Sequence, residues 1–241
     1  MKTAIILAAG RGMRLGSLTE KTPKCLLRVG GLPILHHQLS ALEKNGVMEA
    51  VVVVGFMAET IRDYMNVHFS HLKSRFVLNT NFASTNTLYS LALAARNVQE
   101  GTEVLLLNGD VVFDREVIRR LIDADLTKSY IAANRNRCGE EEVKIRLAKN
   151  GTIALLNKKI NPAEALGEGI GINKFSPSFW KALTNNLFEL QNDFSHEYFE
   201  YAIEKTILAG EKIHPLDVSD LAAVEVDFLE DLEKARSFFI A

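Results

Sequence analysis

Two kinds of hydrophobic pattern alternate along the first half of the chain. Short unbroken apolar runs occur at Ala4 to Leu7, at Ala50 to Gly55 (AVVVVG) and at Glu103 to Asp110 (EVLLLNGD). Runs of this length and composition belong to strands covered on both faces. Arg75 to Asn79 (RFVLN) reads as a further strand. Between these runs the apolar positions take a helical period. Leu35, Leu39 and Leu42 follow Pro33, whose fixed φ suits a first helical turn, and Asn45-Gly46 closes that helix. Ala58 to Val67 predicts a second helix, and Thr85 to Asn97 a third with Leu88, Leu91 and Ala95 inward. Regular alternation of strand and helix predicts an α/β fold, a mostly parallel mixed sheet flanked by helices.

The second half changes character. SYIAANRN, VKIRLAK and TIALLNK are short strand patterns, the last two joined by Asn150-Gly151, a strong hairpin signal. Helical periods return at Pro177 to Leu190 and at about Ser195 to Leu208. KIHPLDV and AAVEVD read as strands, and FLEDLEKARSFF as a closing helix. No repeat, linker or low-complexity segment interrupts the chain. It reads as a single domain over residues 1–241, with a contiguous α/β half over about 1–125 and a smaller β-rich part within about 126–241.

Composition narrows the function more than the fold. Hydrophobic residues make up 47% of the 241 and charged ones 24%, ordinary for a globular chain with a full core. A formal net charge of −2 argues against a dedicated nucleic-acid binder. Two cysteines, Cys25 and Cys138, fit neither a disulfide framework nor a zinc spacing and suggest a reducing compartment. Met1-Lys2-Thr3 leads into a strand without signal-peptide architecture, and no apolar run reaches a membrane span. A cytoplasmic protein with no membrane partner is expected.

The chemistry concentrates between Ala4 and Leu27. The first strand runs into Ala8, Ala9 and Gly10, residues small enough for a planar ring or a phosphate to approach the backbone. The loop beyond carries Arg11, Arg14, Lys21 and Lys24, and exposed amides interleaved with such cations hold anionic oxygens. Gly10, Gly12 and Gly16 do not fit the dinucleotide-binding spacing, and no glycine precedes a Lys-Ser or Lys-Thr pair. The whole string is more specific. LAAGRGMRL, then TPKCLL, then GGLPIL resembles the signature of the sugar-phosphate-type nucleotidyltransferases. TN-x-x-YSL after a strand, VKIRLAKNGTIALLNKKI and GEGIGINKFS look like the short cytidylyltransferases that act on phosphocholine, 2-aminoethylphosphonate or inositol phosphate.

That resemblance implies a Rossmann-like fold with a nucleotide-binding first half and an acceptor-binding second half. It also implies CTP and a small phosphate or phosphonate as partners and Mg²⁺ as cofactor. Asp110, ending a strand as NGD, and Asp227, ending EVD, match the family's paired metal carboxylates. Each also reads as a turn or N-cap aspartate. Lys24 of TPK matches the lysine near the scissile phosphate, and Arg14 the arginine facing the leaving pyrophosphate. Leu7, Ala8, Ala9, Gly10 and Gly12 would face the nucleotide, with Asn86 as a base or ribose reader and Ser90 beside it. Asn86 reads equally as a helix cap. Lys144 and Lys159 would bind the acceptor's anionic group and Glu168 its amine, against plain readings as a strand-edge charge for Lys144 and a loop carboxylate for Glu168.

A homodimer stays open. The alternatives are a sugar-1-phosphate uridylyl- or thymidylyltransferase, a glycosyltransferase and a non-catalytic nucleotide sensor. The second would show D-x-D, whereas Asp110 and Asp114 are too far apart, and the third would be expected to lose Asp110, Asp227 or Lys24. His36-His37 and His68 with His71 lack the companions of a zinc site.

Overall fold

The computed structural model describes residues 2–136 and 138–239. β1 (Lys2–Ala8) is the axis of the sheet, buried along nearly its whole length. It pairs in parallel with β4 (Glu49–Val54) on one side and β6 (Glu103–Asn108) on the other, and β5 (Lys73–Leu78) extends the sheet in parallel beyond β4. Strand geometry sends alternate side chains to opposite faces. Ala4, Ile6 and Ala8 therefore join Val52, Leu105, Leu35 and Leu39 in one core cluster. Ile5, Leu7 and Ala9 join Val51, Leu106, Leu88 and Leu91 in the other. The first face is covered by α1 (Ile34–Lys44), α2 (Ala58–His68) and α4 (Glu116–Asp123), the second by α3 (Thr87–Ala95). α1 starts after Pro33, which belongs to a small hairpin of β2 (Arg28–Val29) and β3 (Leu32–Pro33).

The second half builds on the same sheet. β11 (Gly167–Phe175) runs antiparallel to β6, with Ile172 opposite Leu107 and Phe175 opposite Val104. It also pairs with β8 (Ser129–Asn134) and with β9 (Lys144–Leu147), whose hairpin partner is β10 (Ile153–Asn157). β12 (Ile213–Asp217) adds to β8 in parallel. α5 (Pro177–Leu190) and α6 (Phe199–Leu208) complete the second core cluster through Phe179, Trp180, Leu183, Phe199 and Ile203. Finally β13 (Ala223–Glu225) pairs antiparallel with β7 (Val111–Phe113), and α7 (Leu229–Phe238) packs Leu232 and Ala235 into a third cluster with Leu15, Leu27 and Val112. This return of the chain sets residue 227 beside residue 110.

No helix among the described residues is long and apolar enough to cross a membrane.

Candidate active site

At the C-terminal end of β1 the backbone changes from ladder to loop, which is where open parallel sheets bind their ligands. Gly109 donates its N–H to the carbonyl of Leu7 at 3.0 Å, and a Cβ there would stand 2.5 Å from that same oxygen. Only glycine permits this approach, and it sets Asp110 against the end of β1. Leu7, Ala8, Gly10, Lys24, Cys25, Gly109 and Asp110 together line a small open cavity of about 40 Å³. The 3-10 stretch Met13–Thr19 curls back over itself, the Thr19 hydroxyl donating to the carbonyl of Gly12 at 2.9 Å. Gly12 has φ +70, and the Lys24 stem packs 3.0–3.1 Å from where its Cβ would be. The glycine thus both turns the loop and houses the lysine.

Lys24 is buried, and its Nζ donates to Asp110 Oδ2 at 2.7 Å and to Asp227 Oδ1 at 2.5 Å. Arg14 Nη1 reaches the other oxygen of Asp227 at 3.0 Å from an exposed position. Burial alone would lower the Lys24 pKa, but the two carboxylates outweigh it and hold the ammonium well above its ordinary value. Burial pushes Asp227 upward, while Lys24, Arg14 and Lys158 together bring it below the usual carboxylate range. Neither aspartate is a helix cap. Asp231 takes that task for α7, its Oδ2 accepting from the backbone N–H of Asp227 at 3.0 Å and of Phe228 at 2.8 Å. Asp114 takes it near α4, accepting from Glu116 N–H at 2.9 Å. Asp110 and Asp227 are left free for charge chemistry.

A third carboxylate joins them. Ligand oxygens of Asp110, Glu225 and Asp227 lie within 4.8 Å of one another. Burial, then the charges of Asp110 and Asp227, push the Glu225 carboxyl upward, with Lys24 offsetting part of the effect. Asp110 Oδ1 is buried without a hydrogen-bond partner. Three hard oxygen donors, one of them buried and unsatisfied, fit a divalent cation such as Mg²⁺. Gln38 braces this corner from α1, its Nε2 donating to the carbonyls of Asn108 and Val111 at 2.7 Å each. Glu225 was overlooked in the sequence, although Glu-Val-Asp at strand spacing puts residues 225 and 227 on one face.

The other expected site residues make local contacts of their own. Asn86 is the N-cap of α3, its side chain accepting from Thr87 N–H at 2.8 Å. Ser90 is buried, with its hydroxyl accepting from Asn79 Nδ2 at 3.1 Å. Lys144 requires correction as an acceptor contact. It is fully buried, and its Nζ donates to the carbonyls of Gly139, Glu140 and Glu142 at 3.1, 2.8 and 3.2 Å. The ammonium closes the acidic 139–142 loop instead of facing solvent. Lys159 is exposed on the turn after β10, where its N–H donates to Asn157 Oδ1 at 2.9 Å. Its neighbour Lys158 adds less to the field at Asp227 than Lys24 or Arg14 does, and its Nζ lies 5.2 Å from the centre of the Tyr198 ring.

Glu168 sits half-buried on β11, its Oε1 accepting from Asn134 Nδ2 at 3.2 Å. Burial and then Glu142 raise its pKa. Glu200, in the first turn of α6, was not anticipated. Its Oε2 is buried and unpartnered, and burial pushes the carboxyl up to about 7.

The model of the MobA-like NTP transferase domain matches residues 4–233. This chain belongs to that family. It is 32% identical over 250 residues to a CMP-5'-(3-aminopropyl)phosphonate synthase of Streptomyces rubellomurinus, covering 96% of this chain but only 38% of that protein. It is 26% identical over 251 residues to a CTP:phosphoglutamine cytidylyltransferase of Campylobacter jejuni, covering 95% and 97% of the two chains. The fold is that of a solved CTP:phosphocholine cytidylyltransferase from Streptococcus pneumoniae, with a TM-score of 0.80, 21% identity and 98% of each chain covered.

Proposed function

We propose that this member of the NTP transferase family moves a cytidylyl group from CTP to a small, amine-bearing phosphate or phosphonate, releasing pyrophosphate, with Mg²⁺ at Asp110, Glu225 and Asp227. The observation that carries the reading is the convergence of those carboxylates with Lys24 beside the end of β1. The relatives, cytidylyl enzymes named for phosphonate and phosphate compounds, support the choice of nucleotide and acceptor class.

In this reading the acceptor oxygen attacks the α-phosphorus of CTP as the bond to pyrophosphate breaks, and no covalent bond to the protein is formed. Bound Mg²⁺ would neutralise charge between the two anions. The chain's own groups do the rest. The small residues Ala8, Ala9 and Gly10 leave the backbone open to the nucleoside. Lys24 and Arg14 bind phosphate oxygens, and their cations stabilise the charge that builds on the transferring and leaving groups. Lys158 offers the acceptor's anionic end a counter-charge, while Glu168 and Glu200 offer carboxyls to its amine.

The test is pyrophosphate release with Mg²⁺, crossing CTP, UTP, GTP, ATP and dTTP against phosphocholine, 2-aminoethylphosphonate, inositol phosphate and glucose 1-phosphate. Release with CTP and an amine-bearing acceptor is expected. Release only with UTP or dTTP and the sugar phosphate overturns the substrate assignment while keeping the reaction type.

A further inference from the structure

The carboxylate cluster already holds a cation of its own. Lys24 Nζ bonds one oxygen of Asp110 and one of Asp227, and Arg14 takes the second oxygen of Asp227. This is a built position. The Lys24 side chain is buried, its stem lies in the space that a side chain on Gly12 would fill, and its residue begins a 3-10 turn closed by Leu27 N–H on the Lys24 carbonyl at 3.1 Å. A divalent ion bound by Asp110, Glu225 and Asp227 could use the unpartnered Oδ1 of Asp110, but at Asp227 it would have to share an oxygen with Lys24 or Arg14. Two cations on one carboxylate oxygen repel strongly in a partly buried site. The phosphates of a bound nucleotide would offer Lys24 and Arg14 another anionic partner.

We propose that Lys24 is the resident counter-cation of the carboxylate cluster, and that a divalent ion enters as the ammonium transfers to the phosphates of the nucleotide. Metal and nucleotide then bind with positive coupling, and by linkage each strengthens the other to the same degree. The proposal rests on the metal assignment made above. It gives Lys24 two partners in succession, and it makes the metal-binding residues poor ligands until nucleotide arrives.

The test uses Mn²⁺ as the probe ion on the full chain, its binding followed by electron paramagnetic resonance without nucleotide. Lys24→Met is expected to bind Mn²⁺ about tenfold or more tightly than the wild type. Lys24→Arg, which keeps a cation there, is expected to stay near the wild type. In the wild type, the rise in Tm with Mn²⁺ and CTP together should exceed the sum of the rises with each alone, a readout that needs no variant to fold. Equal Mn²⁺ affinities for Lys24→Met and the wild type, or additive Tm shifts, overturn the counter-cation role and leave the metal site standing. Failure of every form to bind Mn²⁺, with or without CTP, overturns the metal site and this inference with it.

Discussion

Glu225 and Glu200 are acids of the same type placed under different constraints, and each makes its own prediction. Glu225 shares the cluster with Asp110 and Asp227. Glu225→Gln keeps the shape and removes one anionic donor, so pyrophosphate release should fall by about a hundredfold or more while the Tm is retained. Unchanged turnover would remove Glu225 from the site. Glu200 is held at about 7 by burial, above its ordinary 4.5, so the folded chain binds its proton more tightly than the unfolded chain does. Its contribution is favourable at low pH and is lost as pH rises from about 4.5 to about 7. Glu200→Gln should therefore gain on the wild type in urea unfolding between pH 5 and pH 8, by no more than about 3 kcal/mol. A difference that does not vary with pH would refute the burial argument. Sequence reading reached the aspartates because strand-end carboxylates stand out against an apolar run. It missed Glu200 because a glutamate in the first turn of a helix is ordinary there, and only the packing around it shows that its Oε2 is enclosed.

At the scale of elements, the strand that ties the molecule together was the least visible. β11 carries Gly167, Gly169 and Gly171, which break the alternation that marks a strand and lack side chains to pack. Contact explains the glycines. Gly167 faces the backbone of Asn134, where a Cβ would stand 2.1 Å from its carbonyl oxygen. Gly171 has φ +73, and a Cβ would lie 2.7 Å from Asn108 Nδ2 at the end of β6. Gly171→Ala forces an alanine into the left-handed region against that amide, and should cost about 1–3 kcal/mol in urea unfolding. Asn108 lies two residues before Asp110, so pyrophosphate release should fall as well. A variant as stable and active as the wild type would show that β11 bends freely there. The buried strands β1, β4 and β6 were legible for the opposite reason, since covering both faces demands an unbroken apolar run. The turn after β10 shows the limit of such reading. Residues 158 and 159 are adjacent lysines, and composition alone cannot tell them apart.

Over the whole molecule the two halves are interleaved. β11 from the second half pairs with β6 from the first, and β13 returns to pair with β7 and carry Asp227 to Asp110. The core is shared in the same way. Phe175, Phe179 and Trp180 pack in one cluster with Ile5, Val51, Leu88 and Leu106. The active-site corner therefore exists only when both halves are folded, and the second sheet face is fully covered only when α5 and α6 join α3. A chain built this way should unfold as one cooperative unit. Trp180 is the single tryptophan, buried and stacked 6.0 Å from Phe175, so its fluorescence reports on the second half's contribution to that shared cluster. Far-UV circular dichroism weighs the helices of both halves. In urea the two probes are expected to give coincident transitions with one midpoint and one slope. Loss of Trp180 fluorescence ahead of the dichroism change would mean that the β-rich part and its helices come away from a first half that stands alone. The Asp110 and Asp227 pairing would then be a contact between separable units, and Lys24, which bonds to both, would be its principal tie.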